Sequence, residues 1–407
     1  MTQVQSNRLA QPLTWSWLIS LAILLGVGFR LWHIDHKVYW FDEVYTTFRA
    51  AGHLGAEIDQ AIFQNQPITA PELQEFQHLK PGSTVLDTLR SLALEDPQHP
   101  PLYFLMARVW MQHFGSSILV SRLLPVLISL LSLPLMYCLA LELFGDRLTA
   151  GFSTALLALS PVDILFAQTA RQYSLLTLAV IGSGWLLLRA WRLNRARDWV
   201  AYGLAVAMGW YTHVFFLLNW AGQAGFALWQ GWRRSQRGKL RAFVAATGLA
   251  LLLYSPWIYV LFANRNRGLA TTSWASERAE PLTYLKFWVL GLSALVVDSN
   301  GSPEVFSTYL LRIPVLVLLG FGVARVVRTT TPKQRAFCAD LHLGAIFAAS
   351  QCRCLVGGAA LGGNSLSNRG FPWAATGYWL WPCHSGKAAA VASSVNLGSC
   401  AGGQRQL

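Results

Sequence analysis

Long apolar runs separated by short clusters of Lys and Arg constrain this chain more than any other feature of its sequence. Such runs occupy residues 15–32, 117–144, 148–167, 174–192, 198–230 and 242–262. A helix of about 20 residues, rising 1.5 Å per residue, crosses the roughly 30 Å hydrocarbon layer of a bilayer. Only 13% of the 407 residues are charged and 54% are apolar, against roughly 25% charged in a soluble domain. In lipid a helix satisfies its own backbone hydrogen bonds, whereas loops and open strands do not. The expected fold is therefore all-α: a polytopic transmembrane helix bundle.

The charges between the runs orient it. Arg147, then Arg192, Arg195 and Arg197, then Arg233, Arg234, Arg237, Lys239 and Arg241 mark loops that the positive-inside rule places in the cytoplasm. Residues 33–116 form the one long polar segment and hold ten of the nineteen acidic residues, so they are expected on the outer face. Parity then requires 198–230 to hold two short spans meeting outside near Tyr211-Thr212-His213, with Gln168–Tyr173 and Asn264–Glu280 also outward. It also makes 282–298 re-entrant, because Arg325, Arg328, Lys333 and Arg335 look cytoplasmic. Arg30 stands near enough to the end of the first run to snorkel to the interface. Residues 101–114 are apolar but too short to cross, and carry Arg108, which predicts a helix lying on the membrane. The net charge of +13 is spread over these loops rather than along one basic face, which argues against a nucleic-acid partner.

The character changes after about residue 336. The last acidic residue is Asp340, and five of the six cysteines fall in the final seventy residues. The chain divides accordingly into a transmembrane domain, 1–335, and an atypical tail, 336–407, which is either disordered or the product of a reading-frame slip. The spacing of Cys352 and Cys354 is not a zinc pattern. No metal site, cofactor or disulfide framework is expected.

Four clusters could carry chemistry. Asp42-Glu43 follows an aromatic triplet about ten residues after the first span, and a carboxylate near an apolar boundary suits a general base. Neighbouring helical side chains point about 100° apart, so one of the two is expected in any given cleft; a solvated loop pair is the alternative. His99 lies between Gln98 and Pro100-Pro101, whose rings fix the entry into the 101–114 helix. This puts His99 at headgroup level, unless it only starts a helix. Arg171 sits on an outward turn, where an Arg is costly without an anion, although a snorkelling Arg would look the same. His213 breaks a long apolar run and is equally compatible with a structural histidine.

Seven segments in order give these clusters a family context: FDE at 41–43, HPPLYF at 99–104, Ser121-Arg122-Leu123-Leu124, LFGDR at 143–147, ALSP at 158–161, QTARQYSLL at 168–176 and YTHVF at 211–215. Together they resemble the membrane glycosyltransferases that include protein O-mannosyltransferases, the aminoarabinose transferases of lipid A and their bacterial family 39 relatives. The resemblance implies a GT-C fold with a large first extracytoplasmic loop and an outward-facing active site in the plasma (inner) membrane. It implies a polyprenyl-phosphate-linked sugar donor, a lipid, glycan or protein acceptor, and direct displacement with inversion. Asp42 would be the base and Glu43 its support, while His99, Arg171, Tyr173 and His213 would bind substrate. Two departures stand out: Thr169 occupies a position where relatives commonly carry a carboxylate, and the later spans cannot be read in 336–407. The alternatives are a polytopic transporter or lipid flippase, or an inactive truncated member of the transferase family. Transporters commonly show internal repeats, and none is visible here.

Overall fold

The computed structural model describes residues 13–233, 235–272, 280–298 and 305–331, together with Gln334 and Phe337. The expectation for the 336–407 tail therefore lies, Phe337 excepted, outside the described residues. Among the described residues every regular element is a helix, as the apolar runs predict.

The first apolar run is α1 (Leu13–Leu31). The polar segment then folds into five shorter helices: α2 (Phe41–Ala51), α3 (Gly55–Ile62), α4 (Ala70–Glu75), α5 (Val85–Glu95) and α6 (Leu102–Phe114). The bundle continues with α7 (Ile118–Phe144), α8 (Arg147–Leu159), α9 (Pro161–Ala167), α10 (Tyr173–Leu193), α11 (Ala196–Thr212), α12 (Phe216–Arg233) and α13 (Arg237–Ala263). Beyond it lie α14 (Arg265–Thr271), α15 (Pro281–Ser293), α16 (Ser307–Leu310) and α17 (Arg312–Thr329). Among the described residues four stretches are long and apolar enough to cross a membrane: α7, α10, α13 and Ser307–Thr329. The pair α8–α9, bent by 60°, makes a fifth if taken as one span.

Local chemistry sets the boundaries. Ser117 starts α7 by accepting from the Val120 amide, and Gly145, at φ 72°, ends it. Asp146 then caps α8 through the Thr149 amide at 2.7 Å. Pro161 has no amide to donate and holds Ser160 extended, which separates α8 from α9. The expected interruption of 198–230 is present: α11 stops at Thr212, His213 is extended, and α12 begins at Phe216.

α10 packs most extensively on α7 and α11, and α11 packs on α13. Their shared core includes Leu187, Trp191, Tyr202, Val206, Phe226 and Phe243. The alternating directions give the bundle two ends. One carries the α2–α6 segment, the 168–172 turn and residues 213–215; the other carries Arg147, Arg195 and the α12–α13 connection. Two contacts confirm this arrangement. Trp257 of α13 donates to Pro97 O at 3.2 Å at the first end, and Gln334 reaches Leu143 O at 2.9 Å at the second. α15, at 13 residues, is about 20 Å long and too short to cross alone.

One expectation changes, that of Arg30, and Arg108 is enclosed as well. Arg30 does not snorkel: it is fully buried, and Nη2 meets Asp163 Oδ2 of α9 at 2.5 Å while Nε donates to Ser129 of α7 at 2.9 Å. The arginine serves as a polar rivet between three helices, since a cation in an apolar bundle must be matched. Arg108, likewise, does not lie on an open surface. It is 1% exposed and turns from α6 into the polar segment, donating to Ser83 O at 2.7 Å.

Candidate functional site

Asp42 and Glu43 occupy the first turn of α2 and are put to different uses. Glu43 accepts from Arg122 Nε at 2.9 Å and Nη2 at 2.7 Å, and from the Ala170 amide at 2.8 Å. Both side chains of that pair are 1% exposed. Arg122 also donates to the carbonyls of Ile34, Lys37 and Val38, so the residues linking α1 to α2 fold around it. Asp42 keeps about a third of its side chain exposed and faces Arg171 Nη2 at 3.8 Å. Of the two carboxylates, then, Asp42 stays partly open and Glu43 is enclosed.

The turn between α9 and α10 carries the opposing groups. Gln168 fixes it to the end of α1, donating to Phe29 O at 2.7 Å and Trp32 O at 2.9 Å. Arg171 is buried, with Nη1 bonded to Thr46 Oγ1 at 3.0 Å and its guanidinium 5.8 Å from the Tyr173 ring centre. Its Nε has no protein partner. Gln172, fully buried, donates from Nε2 to His99 Nδ1 at 3.3 Å and leaves Oε1 unpaired. Buried polar atoms normally find partners, so unpaired atoms around an open carboxylate mark a place suited to a polar ligand.

His99 is held from two sides. Asp96 Oδ1 stands 4.0 Å from Nε2, and the turn containing both is anchored by Trp257. Asp96 is itself paired with Arg49 Nε at 3.0 Å. Because Gln172 Nε2 can only donate, the proton of a neutral His99 resides on Nε2. Burial lowers the His99 pKa, with nearby Asp96 opposing it, which favours the neutral imidazole, a hydrogen-bond donor. His213 closes the cluster from the α11–α12 break, its ring centre 6.4 Å from that of Tyr173. Burial, reinforced by His99 and Arg171, pushes its pKa down to about 3. Its Nδ1 accepts from the Phe215 amide at 3.1 Å, which fixes the break.

Asp42, His99, Arg171, Tyr173 and His213 thus gather at one end of the bundle, although they are far apart in sequence. Among the described residues no three His, Cys, Asp or Glu side chains gather to hold a metal ion. Three contributors escaped sequence reasoning: Thr46, one helical turn from Asp42; Gln172, whose neighbour Arg171 drew attention instead; and Lys37, which donates to Gln168 Oε1 at 2.6 Å.

Residues 98–260 match the family described as dolichyl-phosphate-mannose-protein mannosyltransferase. This chain is similar to that mannosyltransferase family. The matched stretch begins one residue before His99, includes Arg171, Tyr173 and His213, and ends within α13, leaving Asp42 and Glu43 outside it. No curated protein and no solved structure matches the chain. The mannosyltransferase match and the apolar helices together support a membrane glycosyltransferase in general, and the cluster lies where the matched stretch meets the polar segment.

Proposed function

We propose that the chain is a GT-C enzyme that moves a sugar from a polyprenyl-phosphate-sugar donor to a lipid, glycan or protein acceptor at the extracytoplasmic face of the plasma (inner) membrane. The observation that carries this reading is the placement of a partly open Asp42 opposite a buried Arg171, at the edge of a stretch matching the mannosyltransferase family. In this scheme Asp42 takes the proton of the acceptor hydroxyl as its oxygen attacks the anomeric carbon. The bond from that carbon to the phosphate oxygen breaks on the opposite face, and the polyprenyl phosphate leaves with the electron pair.

Charge supports the same division of labour. A phosphate leaves readily once its charge is balanced, and Arg171 is already buried with one nitrogen unpaired. His99 and Tyr173 contribute donors rather than charge. Glu43 acts at one remove: through Arg122 it holds the first turn of α2 against Ala170, setting the approach of Asp42 to Arg171.

The test supplies membranes containing the full chain with radiolabelled polyprenyl-phosphate sugars and follows label into lipid, glycan and protein fractions. Transfer that requires Asp42 is expected. Absence of transfer from every lipid-linked donor, with intact protein in the membrane, overturns the proposal.

A further inference from the structure

A second site lies at the opposite end of the bundle from Asp42, in the hairpin between α12 and α13. There the two helices approach closely: a side chain placed at Gly231 would meet Leu240 at 2.9 Å. Trp191 of α10 donates to Gln236 Oε1 at 2.7 Å and fixes the start of α13. Beside this contact opens a groove of about 620 Å³ lined by Gly231, Trp232, Arg237, Leu240, Arg241 and Val244, a volume within the usual range of small-molecule sites.

The lining is graded. Arg237 and Arg241 are one helical turn apart on a single face of α13 and both are exposed. Among the described residues neither has an acidic partner, whereas at the same end Arg192 is paired with Glu142 and Arg189 with Asp198. Leu240, between the two arginines in sequence, and Val244, beyond Arg241, make the rest of the lining apolar. Trp232, 87% exposed, stands at the mouth, and Trp is the side chain that favours the boundary between headgroups and hydrocarbon.

We infer that this groove binds one anionic phospholipid of the surrounding leaflet, its headgroup phosphate between Arg237 and Arg241 and an acyl chain along Leu240 and Val244. Two cations without an acidic partner among the described residues ask for an anion. The apolar continuation of the groove asks for a chain attached to it, and basic pockets between membrane helices are suited to such headgroups. The site is remote from the Asp42 cluster and does not depend on the activity proposed for it.

The experiment is native mass spectrometry of the full chain in mild detergent, titrated with dioleoyl-phosphatidylglycerol, dioleoyl-phosphatidylcholine or inorganic phosphate. Each arginine near a lipid surface contributes about fivefold in affinity, so phosphatidylglycerol should be preferred by about 30-fold. The variant R237Q/R241Q should bring the preference to within about twofold, and R237K/R241K should keep most of it. Val244→Trp, which fills the groove without altering charge, should weaken phosphatidylglycerol binding about tenfold or more, and it keeps the test available if the double variant does not fold. Retention of the preference in R237Q/R241Q, or unchanged binding in Val244→Trp, overturns the inference. Displacement of phosphatidylglycerol by millimolar inorganic phosphate would make the site a free-phosphate site and overturn it equally.

Discussion

Glu43 and Arg122, 79 residues apart, are joined by two hydrogen bonds of 2.9 and 2.7 Å, while the neighbouring Asp42 stays about a third exposed and stands 3.8 Å from Arg171. The proposed function gives the structural task to Glu43 and the chemical one to Asp42. Asp42→Asn should leave folding largely intact, because Asn keeps the size of Asp and its place in α2 and Arg171 keeps its bond to Thr46, while transfer falls by about a hundred- to ten-thousandfold. Rate per folded enzyme is the measurement. Near-parental activity would remove Asp42 as the base.

Glu43→Gln should fail differently. It leaves Arg122 buried without its counter-charge, and breaking such a pair costs about 3–5 kcal/mol. The expected result is a lower unfolding temperature and less protein in the membrane. A well-folded Glu43→Gln with full stability would show that the carbonyls of Ile34, Lys37 and Val38 suffice to hold Arg122.

The ion pair between Arg30 and Asp163 allows a cleaner test of buried charge. Asp163→Leu alone should destabilise by about 3–5 kcal/mol, whereas Arg30→Met combined with Asp163→Leu should cost much less, since no unmatched ion remains. Equal losses in the single and double variants would show that the pair contributes little coupling.

Acid should loosen the fold through its histidines. The folded-state pKa values of His99 and His213 lie below the ordinary value of about 6.5, His213 at about 3. Between the folded and unfolded pKa values the unfolded chain binds more protons, so stability rises with pH there and is lost as pH falls from about 6.5 toward 3. Unfolding temperatures measured in detergent from pH 7.5 to 4.5 should decline. His213→Asn should flatten the slope, and an unchanged slope would remove His213 as its source.

Orientation follows from the same logic as the sequence. A reporter fused after residue 60 should report as extracytoplasmic and one after residue 236 as cytoplasmic, since the acidic segment and the Arg237–Arg241 cluster lie at opposite ends. Both reporters on one side would contradict the arrangement.

Particular residues show what could be read from the sequence. The break at His213 was legible because charge alternation demanded an even number of crossings between Arg197 and Arg233, a constraint that acts at long range without any knowledge of packing. Glu43 was not separable from Asp42, because its partner Arg122 lies on another helix and sequence shows only that two carboxylates are adjacent. Arg30 misled for the same reason. A cation near a helix end snorkels by default, and only the packing of α1 on α9 brings Asp163 within reach. Gln172 and Thr46 left no signal, being ordinary polar residues whose roles arise from what the fold places beside them.

The bend at Ser160-Pro161 also sets how far the turn bearing Arg171 reaches. Thirteen residues of α8 and seven of α9 would reach about 30 Å if straight, but with a 60° bend they advance only about 25 Å along the axis of α8. The turn bearing Arg171 is therefore carried about 5 Å less far along that axis than a straight helix would carry it. If the proposed function holds, a donor carried on a lipid tail would come to a turn held back in this way sideways, gliding in the plane of the bilayer, whereas a freely dissolved nucleotide sugar would have to sink out of water to meet it. On that reading geography would sort one class of donor from the other before any contact with the sugar is made.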